Sequence, residues 1–308
     1  MKAGWPLVSV VIATNRDSPY FAQAIDSVVA QTYPDWEIVV VDNGVPDGDA
    51  LAATVGKAPR SRVVRVPSSG TVSLARNAGV AVAAGELLVF LDDDDSWHED
   101  RLRLQVDALA ADPAAPASYC GGWHMDAASR PFAPSWPAHP ATAVEMLAGR
   151  SRMPHICGAM MIRRDAYARV GGFSPELTML EDFELALRLL GLGDLVCVPD
   201  ELVGYRRHDR NATNTGFENI RFRRAAMDGI LSRHAWAAAV RGDVGTARLL
   251  REHRSRERRR AAKEAASMTL AALRRGRTTD ALQDARWGLA HEPAVYVAAI
   301  AGRVAGRR

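Results

Sequence analysis

Runs of apolar residues alternate with segments of helical period along the first third of the chain. Four short apolar runs, bounded by polar or turn residues, are typical of buried strands; they lie at residues 6–14, 36–42, 62–66 and 85–92. Between them, residues 18–31 and 71–84 predict helices, the first with apolar side chains at i, i+3, i+4 and i+7. Apolar strands joined by amphipathic helices predict an α/β fold whose mainly parallel, Rossmann-like sheet is flanked by helices.

Polar residues follow three of these strands, at the point where each strand ends. They are Thr14, Asn15 and Arg16 after the first strand, Asp42 and Asn43 after the second, and Asp92, Asp93, Asp94 and Asp95 after the fourth. Ligands of parallel sheets bind at the carboxyl ends of the strands, so we expect these side chains to share one ligand-binding edge. A carboxylate and an amide can hydrogen-bond a base or a ribose, and a dense acidic group suits a diphosphate that binds through a divalent cation. A nucleotide diphosphate is therefore the expected ligand.

The four consecutive aspartates indicate a divalent cation. Neighbouring carboxylates raise one another's pKa, so such a cluster favours a bound cation or a solvated loop. Hard oxygen ligands select Mg²⁺ or Mn²⁺ rather than zinc. The alternative is a solvated loop or the N-terminus of the helix predicted after residue 96, whose dipole favours preceding acids. Spacing does not distinguish whether Asp93 and Asp95 face solvent, cap this helix or touch the ligand.

Composition agrees with a globular protein. The chain of 308 residues is 48% hydrophobic and 24% charged, which suffices for one large domain and an appendage. No apolar stretch reaches about 18 residues and the first residues lack a signal peptide's apolar region, so we expect no membrane span and no leader. Three scattered cysteines fit a reducing compartment, and we expect the protein in the cytoplasm.

The two ends of the chain differ in charge. Residues 241–308 hold 16 Lys+Arg against 7 Asp+Glu, whereas residues 1–240 hold 23 against 29. This asymmetry predicts an α/β domain at 1–222 and a basic extension at 223–308.

The extension contains an imperfect repeat with an offset of 34 residues, which aligns Trp236 with Leu270 and Gly242 with Gly276. The period and the glycine between helical segments resemble tetratricopeptide-type hairpins. Since a free-standing array needs at least three units, we expect the hairpins to pack on the first domain or in a homodimer. The basic stretch 248–266 leaves open a solvated face, a membrane surface or an acidic acceptor, whereas nucleic acid is not expected because no groove-reading motif accompanies it.

Five segments resemble, in order, the motifs of family 2 glycosyltransferases of the GT-A fold. They are VSVVIATNRD, EIVVVDNG, LARNAGVAVAAGELLVFLDDDD, GGF and LEDFELALRL, and the likeness spans residues 5 to 215. The resemblance implies a metal-dependent, inverting transferase of hexosyltransferase type. It further implies a nucleotide-diphosphate donor, with a UDP-sugar expected, and a hydroxyl acceptor on a glycan, a lipid-linked carrier, a natural product or a protein.

The resemblance assigns roles to particular residues. Asp42 resembles the carboxylate that contacts the base, Arg76 the basic residue near base and diphosphate, Asp92 and Asp94 the Asp-x-Asp pair that holds the metal, Asp182 the general base, and His208 the histidine near the metal. Each residue also has a plainer interpretation: Asp42 as a turn residue, Arg76 as an exposed helical arginine and His208 as a surface histidine. Arg206 suits a diphosphate, with the same alternative.

Asp182 has the central chemical role in this prediction. It lies with Glu181 in the first turn of a helix predicted over 181–190, where the helix N-terminus would help to keep its carboxylate ionised. A general base must be ionised when it takes the acceptor's proton. Glu181 is expected to share this role or to orient Asp182, and the alternative is an acid that only stabilises the helix.

The acceptor side is less defined by sequence. Gly158, within the apolar stretch 153–164, resembles a family segment near the acceptor, and His155 is placed in the same cleft. Trp123 and Trp136 suit either a platform for a sugar or lipid or packing at the sheet edge. Two other classes remain as alternatives: a nucleotidyltransferase, which normally needs a glycine-rich phosphate loop after strand one, and a sugar-nucleotide-binding scaffold without activity.

Overall fold

A computed structural model of the protein describes residues 5–67, 70–154, 157–209, 211 and 217–305. The chain divides into two compact units. One comprises the described residues of 1–143 and 152–211, and the other comprises those of 144–151 and 212–308.

Four parallel strands form one half of the sheet in the first unit. They are β1 (Val8–Thr14), β2 (Trp36–Asp42), β3 (Ser61–Arg65) and β4 (Leu87–Phe90), in the order β3-β2-β1-β4. All four lie within the apolar runs or within a residue of them. Their side chains are almost all buried on β1, β2 and β4, because helices cover both faces.

The other half of the sheet is mixed. It contains β5 (Ser96–Trp97), β6 (Ala117–Met125), β7 (Met160–Arg163) and β8 (Val196–Arg206), and the full order is β3-β2-β1-β4-β7-β6-β8-β5. Here β7 runs antiparallel to β4 and β6, β5 runs antiparallel to β8, and β6 and β8 are parallel. The predicted α/β class is confirmed, with antiparallel pairs in the half that follows β4.

Among the described residues, the helices of the first unit are α1 (Phe21–Val29), α2 (Gly48–Val55), α3 (Val72–Val82), α4 (Arg101–Ala111), α6 (Arg164–Val170) and α7 (Glu181–Leu190), whereas α5 (Ala143–Leu147) belongs to the second unit from Val144 onward. The apolar stripe of α1 packs in the same core as alternate residues of β1 and β2. On the opposite face, α3 approaches closely at Gly79, where a Cβ would lie 2.5 Å from Val11 Cγ1. This approach fixes the position of α3 beside the ends of β1 and β2.

The second unit is helical, as the sequence predicts. It contains α8 (Phe217–Val240), α9 (Val244–Arg274), α10 (Thr278–His291) and α11 (Pro293–Ala305). The repeated glycines, Gly242 and Gly276, lie in the two turns between α8, α9 and α10 with φ of 79° and 68°, a conformation that glycine adopts without strain. The predicted domain boundary after residue 222 lies inside α8 and stays a prediction.

Within the described residues, none of the helices combines the length and apolar character that crossing a bilayer would require.

Candidate active site

The ends of the parallel strands meet at one edge of the sheet. Thr14 and Asp42 are directly paired at the ends of β1 and β2, and β4 continues through Leu91, whose N–H donates to Val11 O at 3.1 Å. The hydroxyl of Thr14 donates to Asp93 Oδ2 at 2.5 Å. The structure therefore brings together the residues that follow β1, β2 and β4.

Arg16 joins two members of the acidic cluster. Its Nη2 lies 2.6 Å from Asp93 Oδ1 and 2.7 Å from Asp94 Oδ2. The hydrogen bond with Asp93 raises the pKa of the guanidinium above its ordinary value, against the effect of burial. The neighbouring Asn15 is exposed. Arg16 thus offsets part of the negative charge of the cluster.

Asp42 and Asn43 are buried at the end of β2. Asp42 Oδ1 accepts the backbone N–H groups of Gly44 and Val45 at 3.1 and 2.9 Å, which is the geometry of a turn residue. Its other oxygen lies 3.3 Å from Arg65 Nε. The turn holds the carboxylate at the sheet edge.

Asp94 contacts His208, which comes from the segment after β8. The distance from His208 Nε2 to Asp94 Oδ2 is 2.9 Å, and the His208 ring packs against Tyr20 with centroids 5.2 Å apart. Burial raises the pKa of Asp94, the charges of Asp92 and Asp93 raise it further, and His208 and Arg16 act in the opposite direction. Asp94 is therefore a carboxylate whose negative charge is incompletely offset.

Asp95 and Arg206 form a buried pair below this surface. Asp95 Oδ1 accepts the Arg206 backbone N–H at 2.8 Å, and burial raises the pKa of Asp95 well above its ordinary value. The guanidinium of Arg206 donates to Asp94 O at 2.7 Å and to Gln23 Oε1 at 2.9 Å, and it lies 4.4 Å from the Tyr20 ring centroid. Arg206 binds the protein itself in this conformation, and its contact with a diphosphate stays a prediction.

Tyr20 is a site residue that sequence reasoning missed. Its ring contacts both His208 and Arg206. The sequence predicts Tyr20 inside the first turn of a helix over 18–31, whereas α1 begins at the residue after it. The feature that could have identified it is an aromatic residue between the end of β1 and the start of α1, because ligand-binding loops lie at such strand ends.

Arg76 connects the acidic cluster with the start of α7. Its Nη2 lies 2.7 Å from Asp92 Oδ1 and its Nη1 lies 2.8 Å from Glu181 Oε1. The guanidinium is 5.3 Å from the Phe173 ring centroid, and the residue is 5% exposed, so Arg76 is not an exposed helical arginine. Because Gly79 lies one turn later on α3, the close approach of that helix to the sheet also places Arg76.

Asp182 is partly exposed beside this arginine. Its Oδ1 accepts the backbone N–H of Phe183 at 2.7 Å at the N-terminus of α7. Although part of the side chain reaches solvent, the surrounding protein desolvates it. This burial, followed by the charge of Glu181, raises the pKa of Asp182 to about 7, while the Phe183 N–H and Arg76 act to lower it. The helix N-terminus acts in the expected direction, but burial outweighs it.

The acidic residues fit a divalent cation in chemistry, although no group of three His, Cys, Asp or Glu side chains within the described ranges is arranged as a ready metal site. Arg76 holds one oxygen of Asp92, and Arg16 and His208 hold Asp94. Two carboxylates with an imidazole are ligands that Mn²⁺ accepts, and carboxylates suit Mg²⁺. The raised pKa of Asp94 indicates charge that a cation would offset.

The residues expected on the acceptor side pack differently from one another. Trp136 is buried, its backbone N–H donates to Gly122 O at 2.8 Å, and its ring lies 4.7 Å from the His124 ring, so it packs against β6. Trp123 is half-buried on β6. Gly158 is buried in a short turn before β7. His155 lies outside the described residues.

A family model covers just over half of the chain. The family described as "Glycosyl transferase family 2" matches residues 9–171. The chain therefore belongs to family 2 of the glycosyltransferases.

Two of the three relatives described here are named as glycosyltransferases. The chain is 25% identical over 234 residues to an uncharacterized glycosyltransferase of Rickettsia typhi, covering 74% of this chain and 72% of that protein. It is 30% identical over 198 residues to an uncharacterized protein of Sinorhizobium fredii, covering 60% of this chain and 20% of that protein. It is 34% identical over 106 residues to TuaG of Bacillus subtilis, a putative teichuronic acid biosynthesis glycosyltransferase, covering 34% and 42%. The chain thus spans only 20% and 42% of the length of two of these relatives.

A solved structure shows the same fold. Residues 1–349 of S. aureus TarS, in complex with UDP-GlcNAc, superpose with a TM-score of 0.57 at 14% sequence identity, covering 89% of each chain. At this identity the similarity establishes the GT-A fold.

Proposed function

We propose that the protein transfers a sugar from a UDP-sugar to a hydroxyl acceptor, with inversion at the anomeric carbon and with dependence on Mg²⁺ or Mn²⁺. The observation that carries this proposal is the position of Arg76, which bonds both Asp92 of the acidic cluster and Glu181 beside Asp182. A carboxylate that would hold the metal ion and the neighbour of the candidate base therefore lie at the two ends of one guanidinium.

The donor would lie along the edge formed by β1, β2 and β4. Asp42 and Asn43 would face the nucleoside, whereas Arg76 and Arg16 would approach the diphosphate, as guanidinium groups match phosphate oxygens well. In this proposal Thr14 fixes Asp93 beside the donor, and Asn15 and Arg206 border it. TarS has been crystallised with UDP-GlcNAc and with UDP, which supports a uridine nucleotide as the donor class.

Asp92, Asp94 and His208 would hold the metal ion. When bound, the ion would supply positive charge against the negative charge that develops on the departing diphosphate. The residues of the chain already provide part of this function, because Arg76 and Arg16 lie against the same carboxylates.

Asp182 would act as the general base. The acceptor hydroxyl forms a bond to the anomeric carbon while its proton passes to Asp182, the bond from that carbon to the diphosphate oxygen breaks, and UDP leaves from the opposite face. A base with a pKa of about 7 is ionised in an adequate fraction at neutral pH and still holds a proton well, which is the range favoured for acid–base catalysis. Glu181, which Arg76 holds, would place its charge beside Asp182 and orient that side chain.

A donor screen tests the proposal. The full chain is incubated with Mg²⁺ or Mn²⁺, a panel of UDP-sugars and other nucleotide sugars, and acceptor mixtures, and release of nucleoside diphosphate is measured. We expect metal-dependent release of UDP for one or a few donors, and NMR of the product should show an inverted anomeric configuration. Pyrophosphate release would instead support a nucleotidyltransferase, and tight donor binding without release would support a scaffold protein.

A further inference from the structure

Three apolar side chains of the helical unit are exposed where α8 meets α9. Trp236 is 69% exposed and Val240 is 66% exposed near the end of α8, and Val244, the first residue of α9, is 69% exposed. Trp236 and Val240 are four residues apart, so they lie on one face of α8, and the short turn 241–243 places Val244 close to Val240. Apolar side chains that are exposed side by side, rather than singly, mark an interaction surface.

The contacts between α8 and α9 show which part of α9 borders Trp236. Asp228 of α8 accepts Arg254 Nε at 2.8 Å and Arg258 Nε at 2.5 Å, which fixes the register of these two antiparallel helices. Trp236 lies eight residues after Asp228, and it is therefore level with residues 246–250, because the same eight residues separate that span from the two arginines. The start of α9 therefore borders the exposed end of α8.

The same side of this helix pair carries Trp236 and two arginines of α9. At about 100° per residue, Trp236 on α8 and Arg248 and Arg251 on α9 turn away from the line of contact toward one side. His253 turns toward the other side, where it is 4% exposed and where a Cβ on Gly149 would lie 2.4 Å from its Cδ2 atom. Trp236 and the two arginines thus lie opposite to this packed segment.

Arginines around the three apolar side chains have no acidic partner. Residues 233–251 contain four arginines against a single acid, Asp243, and the four are Arg233, Arg241, Arg248 and Arg251. All four are exposed, and none of them forms an ion pair with another residue that the structure describes. The carboxylate of Asp243 accepts the N–H of Thr246 at 2.9 Å at the start of α9. The segment therefore holds an excess of three positive charges.

Elsewhere on α9 the arginines are paired with acids. Arg254 and Arg258 share Asp228, while Arg256 lies 3.0 Å from Glu252 and Arg260 lies 3.1 Å from Glu257, measured between nitrogen and oxygen. The basic stretch 248–266 is thus largely offset by the protein itself. The positive charge that is not offset lies at the start of α9, beside the exposed tryptophan.

A bilayer with anionic lipids matches both features of this surface. A tryptophan ring favours the boundary between lipid headgroups and water, because the ring is apolar and its N–H is polar. Arginines around an inserted ring would contact lipid phosphates, and each basic residue near an anionic leaflet strengthens binding by about fivefold. Apolar insertion and charge attraction act together in surface-bound helices.

Other partners match only one of the two features. In a two-fold dimer the same surface would meet its copy, so the excess positive charges of the two copies would face each other. A nucleic acid would contact the arginines through its phosphates, but it offers little apolar surface to Val240 and Val244.

We propose that Trp236, Val240, Val244 and the four arginines, here called the Trp236 surface, dock the protein on a bilayer that contains anionic lipids. The Trp236 surface lies on α8, on α9 and in the turn between them, so the proposal is independent of sugar transfer at the sheet edge.

Co-sedimentation of the full chain with lipid vesicles tests the proposal. Vesicles of phosphatidylcholine alone are compared with vesicles of phosphatidylcholine and phosphatidylglycerol in equal parts, at fixed ionic strength. The first variant is Trp236→Ala. Its matched control is Trp5→Ala, which removes a tryptophan of the other unit that is 55% exposed.

A double variant tests the charges of the surface. Arg248→Gln with Arg251→Gln removes two of the unpaired arginines. Its matched control is Arg256→Gln with Arg260→Gln, which removes two arginines of the same helix that are 50% and 80% exposed and are paired with acids.

We expect the wild type to bind the anionic vesicles far more tightly than the neutral ones. Trp236→Ala should weaken this binding by about tenfold or more, because the apolar area of the ring is no longer removed from water. The double variant Arg248→Gln with Arg251→Gln should weaken it by about 25-fold, at about fivefold for each arginine. Both controls should bind as the wild type does.

Three outcomes would overturn the proposal. They are an absence of binding to anionic vesicles, equal binding to neutral and anionic vesicles, and binding that Trp236→Ala does not weaken. A dimer that dissociates in Trp236→Ala, seen by analytical ultracentrifugation without vesicle binding, would assign the surface to a second copy of the chain. Binding of an oligonucleotide without binding of vesicles would assign it to nucleic acid.

Fluorescence quenching shows whether Trp236 itself enters the bilayer. Tryptophan emission is recorded with anionic vesicles whose acyl chains carry bromine, a quencher that is confined to the bilayer. We expect quenching in the wild type and in Trp5→Phe, and its loss in Trp236→Phe, which keeps an aromatic ring at the position. Quenching that persists in Trp236→Phe would contradict the docking of this surface.

Discussion

The two units of the protein pair their clustered carboxylates in opposite ways. In the helical unit, Asp228 accepts hydrogen bonds from Arg254 and Arg258, and Asp284 accepts them from Arg221 and Arg224. At the sheet edge of the other unit the carboxylates are in excess. Asp92 to Asp95, Glu181 and Asp182 there face Arg16 and Arg76, while the Arg206 side chain donates to backbone and uncharged side-chain oxygens.

The pKa directions follow this difference. Burial acts to raise the pKa of Asp228, but the hydrogen bonds and charges of Arg258 and Arg254 outweigh it and hold the pKa below its ordinary value. Burial and neighbouring acids instead raise the pKa of Asp94, Asp95 and Asp182. A network whose charges are offset contributes to stability, whereas a cluster kept in excess of one sign is typical of a site that awaits a cation or a proton. Exchanging single carboxylates for amides tests this contrast.

The largest effect is expected from Asp182→Asn. An amide cannot take the acceptor proton, so we expect the rate of transfer to fall by about 10² to 10⁴ while donor affinity changes little. Steady-state kinetics with the identified donor, combined with calorimetric donor binding, measure both quantities. Asp107→Asn, an acid of α4 that is 55% exposed, is the matched control. Transfer at the wild-type rate in Asp182→Asn would remove this residue from the role of base.

The charge-paired network around Asp228 in the helical unit should show its effect in the stability of the protein. Asp228→Asn leaves Arg254 and Arg258 without their shared carboxylate, and we expect the free energy of unfolding at pH 7 to fall by about 2–4 kcal/mol. Because the pKa of Asp228 is lowered on folding, this contribution is present above its unfolded value and is lost as the pH falls. Urea unfolding of the variant and of Asp107→Asn provides the comparison. A loss no larger than that of the exposed control would contradict the structural role of this network.

Asp94→Asn tests whether the excess negative charge at the sheet edge binds a divalent cation. We expect it to weaken UDP binding in the presence of Mg²⁺ or Mn²⁺ by about 10- to 100-fold, because losing even an outer-shell partner of a metal ligand typically costs about that much. Chelation with EDTA should bring the wild type close to the variant and should leave the variant almost unchanged. The measurement is calorimetry of UDP binding with and without metal. Equal affinities for wild type and variant in both conditions would exclude Asp94 as a ligand.

The parallel half of the sheet was predictable because its strands are continuous apolar runs separated by helices of clear period. The antiparallel half was not, since β7 enters between β4 and β6 through pairings between distant segments. Local pattern carries no information on such partners.

The same limit applies within the site. The bond between Asp95 and Arg206 spans 111 residues, and the bond between Arg76 and Glu181 spans 105. Sequence could place the aspartates at a strand end, but it could not tell that Asp95 is buried under β8 or that Arg76 reaches α7. The expectation for Asp182 used the nearby helix N-terminus, a local effect, and missed the desolvation that comes from the tertiary structure.

The smallest expected effect is a pH dependence of transfer that comes from Asp182 and not from Asp228. Burial and the charge of Glu181 hold the pKa of Asp182 at about 7, so its carboxylate is mostly protonated at pH 6 and mostly ionised at pH 8. A general base acts only when ionised, and kcat/KM should therefore fall by about tenfold from pH 8 to pH 6. Asp228, whose pKa lies below its ordinary value, should remain ionised throughout this range and should not contribute. A pH profile of kcat/KM measures the effect, with the residual activity of Asp182→Asn expected to lack this limb. A flat profile in the wild type, or an unchanged limb in the variant, would show that another group sets the pH dependence.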